Sequence, residues 1–446
     1  MTLASWSRCA LGAAALLLSA QPGTGRAWGY HYLVTDRSLG HDEAAVVDVL
    51  VPVESLDDFL AAEPAALTAL FAGYYDWLDA RGDKRHRRIA YDPSRGGADA
   101  LLQTARLNPS ASFPLVNRVL PLAALVTDPV PAGLVSRYLV EVPPLVMVFE
   151  DATGRSVSPR SVLSTFADEP DWGFDHELWD YLDYGYGTQP YGKARGESSK
   201  AAFHMQFLHE NGLVRKFVPE IDDGMVEERM ELFLRLARLA HQTGHPYWGW
   251  RFTAWTAHYA QDLCQPYHAA ALPSKRMSYY LRYIVSPRKT HLKDTATQLA
   301  VNRHFAYEDF VAYGLQRNYT EPMGSDPTAE ALGAYLAGVR VPPGQVAAAA
   351  RDLPSLRSAG ALLEWVAAAA ADHAPAMDKA IVRAFPRQYT RDASYDFEHD
   401  PAYTVEGLWG SVDDQNRQAL LDETGADFYR SGQATRAVVR LALQAP

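Results

Sequence analysis

Thr256-Ala257-His258-Tyr259-Ala260-Gln261-Asp262-Leu263-Cys264-Gln265-Pro266-Tyr267-His268 is the stretch on which the reading of this chain turns. His258 and Asp262 are four residues apart, so on a helix both side chains lie on one face and can hold one divalent ion. Pro266 cannot continue that helix, and the chain can turn there and bring His268 back towards the pair. A second i, i+4 pair, His304 and Glu308, stands in Asn302-Arg303-His304-Phe305-Ala306-Tyr307-Glu308-Asp309-Phe310-Val311. Imidazole and carboxylate ligands without thiolates suit zinc at a hydrolytic centre. Either pair alone reads as a helix-surface ion pair worth a few tenths of a kcal/mol. Both together, in a chain with only 14 His among 446 residues, point to metal.

Outward from these motifs the periodicity is helical, and the fold class is mainly α. Glu227 to His241, Tyr247 to Gln265, His291 to Leu315, Leu356 to Phe385 and Asp414 to Leu443 are the clear segments. Leu56 to Asp79 reads as two helices split near Pro64. Ala367 to Ala371 suggests close helix packing. Phe113 to Glu150 differs: Pro recurs at 114, 121, 129, 131, 143 and 144, and Leu145-Val146-Met147-Val148-Phe149 looks like a strand. It reads as a Pro-rich, partly β lobe inserted over about 100–160. The expected organisation is a signal peptide over 1–27, a metal domain over 28–320 and a helical extension over 321–446.

Composition limits the functional classes. With 48% apolar and 21% charged residues the chain has ordinary globular values. A net charge of −11 argues against stable binding of duplex nucleic acid. Cys9 and Cys264 cannot form a disulfide framework, and Cys264 reads as a small buried hydrophobe. Arg8, the apolar run Ala10 to Leu18, Gln21-Pro22-Gly23 and Gly25-Arg26-Ala27 have the layout of an export signal cleaved between Ala27 and Trp28, which predicts a secreted or periplasmic protein. Lys84-Arg85-His86-Arg87-Arg88 reads as a solvated basic loop. Gly187 to Lys193 has P-loop spacing, but Ala194 stands where a Ser or Thr is needed, and no GxSxG elbow is present.

His258-Tyr-Ala-Gln-Asp262 through Pro266-Tyr-His268-Ala-Ala, and His304-Phe-Ala-Tyr-Glu308-Asp-Phe-Val, resemble the HYxxDxxxPxHxA and HxxxExF segments of secreted bacterial zinc-dependent phospholipases C. They are more distantly similar to S1/P1 nucleases of the same superfamily. The resemblance covers Trp28 to His31 and Ser164 to Val311, and implies an all-α domain with three zinc ions. Trp28 matches the N-terminal ligand, His31 the early His (His41 competes), Phe166-Ala167-Asp168 the family's Ala-Asp segment and Ala202-Phe203-His204 its following His segment. Asp171 and His209 are the rivals of Asp168 and His204. The spacers Asp168 to His204 and His268 to His304 are 36 residues each, longer than the family's.

Carried over position by position, the resemblance implies that Asp168, His204, His258 and Asp262 hold one zinc, and His268, His304 and Glu308 a second with an open position. The Trp28 amine and carbonyl, His31 and a bridging Asp262 hold the third, and Asp168 is the catalytic carboxylate. The implied activity is zinc-dependent hydrolysis of a phosphoric ester. Phospholipase C comes first, because Glu308 and Phe310-Val311 look like that branch, with a phospholipid or other phosphate ester as substrate and transient contact with a membrane surface. A single-strand nuclease or 3′-nucleotidase is the alternative, since 24 Tyr and 10 Trp could stack nucleobases. A zinc-stabilised, non-catalytic binding protein is the third reading.

Overall fold

The computed structural model describes residues 30–40, 44–82, 85–109, 150–191, 200–273, 277–320, 324–343, 356–395, 400 and 402–444, and the strand segments 118–119, 125–126 and 146–147. The expected targeting segment, Trp28 and His41 lie outside the described residues, as does most of the Pro-rich segment. The fold is mainly helical. No described helix is long and apolar enough to cross a membrane.

The central element is the helix Pro246–Asp262, buried along almost its whole length. Pro246 stands at its first turn, where the missing N–H costs nothing. It packs antiparallel against Val226–Thr243, which presents Met230, Phe233, Leu234 and Ala237 at helical spacing. Gly244, at φ 90°, ends that partner in the left-handed conformation that lets the chain reverse. The short helix Leu56–Ala62 and the longer Pro64–Ala80 do part at Pro64.

The last helix, Asp414–Leu443, runs through the same core rather than forming an appendage. It packs on the central helix, on Pro327–Leu336, on Ala359–Ala384 and on the N-terminal helix His31–Ser38. One hydrophobic cluster joins Leu33, Trp255 and Tyr259 to Phe428 and Val438, so the core has no break at residue 320. Close crossing explains Gly432: a Cβ there would come 2.0 Å from the Leu336 carbonyl oxygen. The Ala-rich Ala359–Ala384 helix likewise packs on Asp414–Leu443, and Ala367, Ala370 and Ala374 are buried.

In the Pro-rich region, Arg118–Val119 pairs antiparallel with Glu150–Asp151, and Leu125–Val126 with Val146–Met147. Val51–Pro52 pairs with Ser156–Val157. The basic loop is neutralised locally: Arg87 bonds Asp183 and Arg88 bonds Asp76 and Asp79.

Candidate metal centre

The central helix places His258 and Asp262 one turn apart, both fully buried. After Asp262 the chain turns through Leu263 and Cys264, and Gln265 caps the short helix Pro266–Ala269, its side chain accepting from the Tyr267 N–H. That turn carries His268 back against the helix end, as Pro266 predicts. His304 and Glu308 come from the long helix Lys289–Thr320 and are also buried.

The tautomer of His258 is fixed by its surroundings. Its Nδ1 lies 2.7 Å from the Ala167 carbonyl oxygen, which can only accept, so Nδ1 carries the proton and Nε2 offers a lone pair. Burial first, then the neighbouring His31, pushes its pKa down to about 4, so the ring is neutral. Nε2 faces Asp262 Oδ2 at 3.2 Å and His204 Nδ1 at 3.1 Å, and His204 Nδ1 lies 2.8 Å from the same Oδ2. Three acceptor-capable atoms therefore converge on one point, and in the metal-free protein a proton on His204 fills it. Burial lowers the His204 pKa, but hydrogen bonds to Asp175 and Asp262 outweigh it and bring it up to about 9.

His31 opens the N-terminal helix. Its Nδ1 bonds Gln261 Oε1 at 2.8 Å, while the Gln261 amide donates to Thr35 and Thr435. Because Nδ1 is occupied, Nε2 is left facing Asp262 Oδ1 at 3.5 Å, and His268 Nδ1 faces that oxygen at 3.7 Å. None of these three atoms has a hydrogen-bond partner among the described residues. Buried unpaired polar atoms in a row are costly in the absence of a ligand. Burial lowers the His31 pKa, yet the facing Asp262 carboxylate outweighs it and raises it to about 9.

The second group is separate but contiguous. His268 Nε2 lies 3.1 Å from His304 Nε2 and 3.2 Å from Glu308 Oε1, and His304 Nε2 lies 2.6 Å from the same oxygen. Burial would raise the Glu308 carboxyl, but His304 and the bond to His268 hold it down to about 2. The Gln265 amide donates to Glu308 Oε1 at 3.2 Å and fixes its orientation.

Among the described residues, four sets of ligand atoms lie close enough to hold an ion: His31, His258 and Asp262; Asp171, His204 and His258; His31, Asp168 and Asp171; and His268, His304 and Glu308. Ligand bonds of 2.0–2.1 Å in a tetrahedron put donor atoms roughly 3.3–3.4 Å apart. The separations of 3.1, 3.2 and 3.5 Å meet this, whereas the 2.8 and 2.6 Å contacts have hydrogen-bond length and must widen by about half an ångström or more to accept an ion. The residues therefore fit a cluster of divalent cations held by N and O ligands.

The placement of the middle acids departs from the expectation. Asp168 accepts the backbone N–H groups of His31 at 2.8 Å and Tyr32 at 3.3 Å, anchoring the N-terminal helix. The rival, Asp171, comes within 3.8 Å of His204 Nδ1 and 3.9 Å of His258 Nε2, and it pairs with Lys200. Asp168 meets the cluster only on the His31 side. Burial, partly offset by His31, lifts its pKa to about 7, whereas Lys200, His258 and His204 outweigh burial and hold Asp171 well below the carboxylate range. Tyr30, at φ 78°, makes this possible: the strained residue turns the His31 and Tyr32 amides onto Asp168. His209 is excluded by position, since it pairs with Glu364 away from the cluster.

Sequence reasoning missed the groups that hold the ligands. Asp175 is fully buried, accepts from Arg229 at 2.9 and 2.6 Å and from the Tyr259 hydroxyl at 2.6 Å, and lies 3.3 Å from His204 Nε2. Gln261 lies inside the quoted motif, three residues after His258, and only its burial in the fold marks it. The chain matches no family model, no characterised sequence and no solved structure.

Proposed function

We propose that this protein is a metal-dependent phosphoric ester hydrolase, resembling the zinc-dependent phospholipases C in its ligand motifs and in its mainly helical fold. The observation that carries the reading is the position of Asp262. One of its oxygens faces His204 and His258, and the other faces His31 and His268. A carboxylate set between two groups of imidazoles suits a bridge between cations, a feature that a lone structural metal site does not require. Asp171, His204, His258 and one Asp262 oxygen would hold one ion, His268, His304 and Glu308 a second, and His31 with the other Asp262 oxygen, beside Asp168, a third. The Trp28 amine, three residues before His31, is the proposed remaining ligand and lies outside the described residues.

Zinc bound there would supply Lewis acidity towards a phosphoryl oxygen and lower the pKa of a coordinated water. The chain's own contribution is orientation. Gln261, Asp175, Gln265 and the Ala167 carbonyl fix the rotamer or tautomer of His31, His204, Glu308 and His258 in turn. Asp171, held ionised by Lys200 and the imidazoles, is the carboxylate placed to ligate an ion at this face of the cluster, and Asp168 is committed to two backbone amides.

A phosphodiester of a lipid is the favoured substrate and single-stranded nucleic acid the second reading. The second reading rests on the aromatic stock of the sequence, 24 Tyr and 10 Trp, because the apolar recess beside His304 lined by Tyr191, Phe207 and Tyr267 has room for only about one water. Phosphatidylcholine and single-stranded DNA offered to the purified zinc-loaded protein, with and without chelator, decide between them. Chelator-sensitive diacylglycerol release supports the first and nucleotide release the second. Bound zinc without either product makes the centre structural.

A further inference from the structure

Between Asp262 and Asp294 the chain contains no Asp or Glu, yet Lys275, Arg276, Arg282, Arg288, Lys289 and Lys293 fall within 19 consecutive residues of a protein whose net charge is −11. This basic run is the spacer between two ligands of one metal group, His268 and His304. In its middle stands the helix Met277–Val285. One face of that helix is fastened to the protein by tyrosines: Phe217 meets Tyr279, Tyr280 and Tyr283 at ring-centroid distances of 5.8, 5.6 and 4.3 Å. At about 100° per residue the opposite face carries Leu281, Ile284 and Val285. These are 57, 55 and 80% exposed. Arg282, Arg288 and Lys289 beside them are exposed as well.

We propose that this face docks on an anionic lipid bilayer and brings the metal centre to the membrane surface. Aliphatic side chains pointing away from the protein gain by entering the interface, and the cations around them are drawn to anionic headgroups. A nucleic-acid backbone would use the cations but leave Leu281, Ile284 and Val285 in water, so the pattern favours a bilayer. The helix enters the interface without spanning it, being nine residues long. The contact's role rests on the phospholipid reading of the centre, although the binding itself does not.

The test is co-sedimentation of the zinc-loaded full chain with vesicles of phosphatidylcholine alone and with roughly one-third phosphatidylglycerol, alongside hydrolysis of the soluble diester bis(4-nitrophenyl) phosphate. Partitioning is expected to rise at least about tenfold with the anionic lipid and to fall with salt. The variant Leu281→Ser/Ile284→Ser/Val285→Ser should lose about tenfold, and Arg282→Glu/Arg288→Glu/Lys289→Glu about a hundredfold, both keeping soluble-diester hydrolysis. An environment-sensitive dye on Ile284→Cys should blue-shift on vesicles, which tests the face even where the serine variant misfolds. Equal partitioning of the serine variant and wild type, no blue shift, or retention of single-stranded DNA in place of vesicles overturns the proposal. Absence of diester hydrolysis with intact vesicle binding counts against the hydrolase reading alone.

Discussion

Replacing Asp262 by Asn removes one charge and almost no volume, and the arrangement of its neighbours sets what should follow. His31 and His204 both stand at about 9, against an ordinary value of 6.5. For His31 the Asp262 carboxylate overcomes burial; for His204, Asp175 and Asp262 do so together. A group raised on folding stabilises the folded chain fully below its unfolded pKa, and that contribution is lost as pH climbs through the folded value. At pH 7 a shift of this size is worth about 2–3 kcal/mol per imidazole. The two lean on one carboxylate and are not additive, so a total loss of about 3–5 kcal/mol is expected for the metal-free variant. Urea unfolding in chelator should reveal that gap near pH 7 and a much smaller one above about pH 10. With zinc present the order of effects reverses. Both imidazoles must lose protons to ligate, so the wild type's gain from zinc rises with pH, and the variant should bind fewer ions per chain. A stability gap independent of pH would refute the electrostatic account, and a variant with unchanged zinc content and rate would refute the bridge.

Gln261→Leu leaves His31 Nδ1 without its acceptor and frees the ring to turn, and metal affinity measured by competitive chelation should drop about 10–100-fold, with a loss of about 1–3 kcal/mol in stability from the buried group left unpaired. Glu169→Gln strands the buried Arg251 guanidinium, whose Nε lies 2.9 Å from Glu169 Oε2; about 3–5 kcal/mol should be lost, and the double variant Glu169→Leu/Arg251→Met should recover most of it in the same denaturant titration. His373 sits between Asp427 and Glu423 at 2.7 Å each; burial lowers its pKa but Asp427 and then Glu423 bring it up to about 9. Its contribution is therefore full below about pH 6.5 and lost through pH 9, so His373→Asn should destabilise the protein at pH 6 and hardly at all above pH 10.

The parts of the centre legible in the sequence are those set by local periodicity. His258 with Asp262 and His304 with Glu308 are one-turn pairs, and Pro266 marks the turn that returns His268. The choice between Asp168 and Asp171 was not local. They stand three residues apart around a short 3-10 turn, and their roles are divided by the strained Tyr30 backbone and by Lys200, neither of which leaves a pattern. Asp175 and Gln261 are likewise identified by what lies across the fold. The join between the central and last helices was equally hidden, because an amphipathic stripe announces burial without naming its partner. It is nevertheless specific: Gln261 donates to Thr435 at 2.9 Å, and Arg430 donates to the Cys264 carbonyl at 3.2 Å.

These long-range joins tie metal binding to the fold. His31 comes from the first described helix, His204 from a four-residue helix, His258 and Asp262 from the central helix, and His304 and Glu308 from the long helix beyond. Among the described residues the centre holds His268 Nδ1 and His304 Nδ1 buried with no hydrogen-bond partner, and His31 Nε2 and Asp262 Oδ1 meet only each other, at 3.5 Å. An unmet buried polar atom costs about 1–3 kcal/mol, and such costs fall on the elements that converge here rather than on the distant parts of the core. The metal-free chain should therefore open first at the His31–Ser38 helix, which is eight residues long and is held at its start by the strained Tyr30 and the two amides on Asp168. Ion binding removes that local weakness and leaves the Val226–Thr243 and Asp414–Leu443 helices nearly unchanged. Hydrogen exchange with and without zinc tests this directly. Protection that rises at residues 31–38 and around 258–268 alone is the expected pattern, and a uniform rise across all helices would mean that the ions stabilise the whole fold rather than this junction.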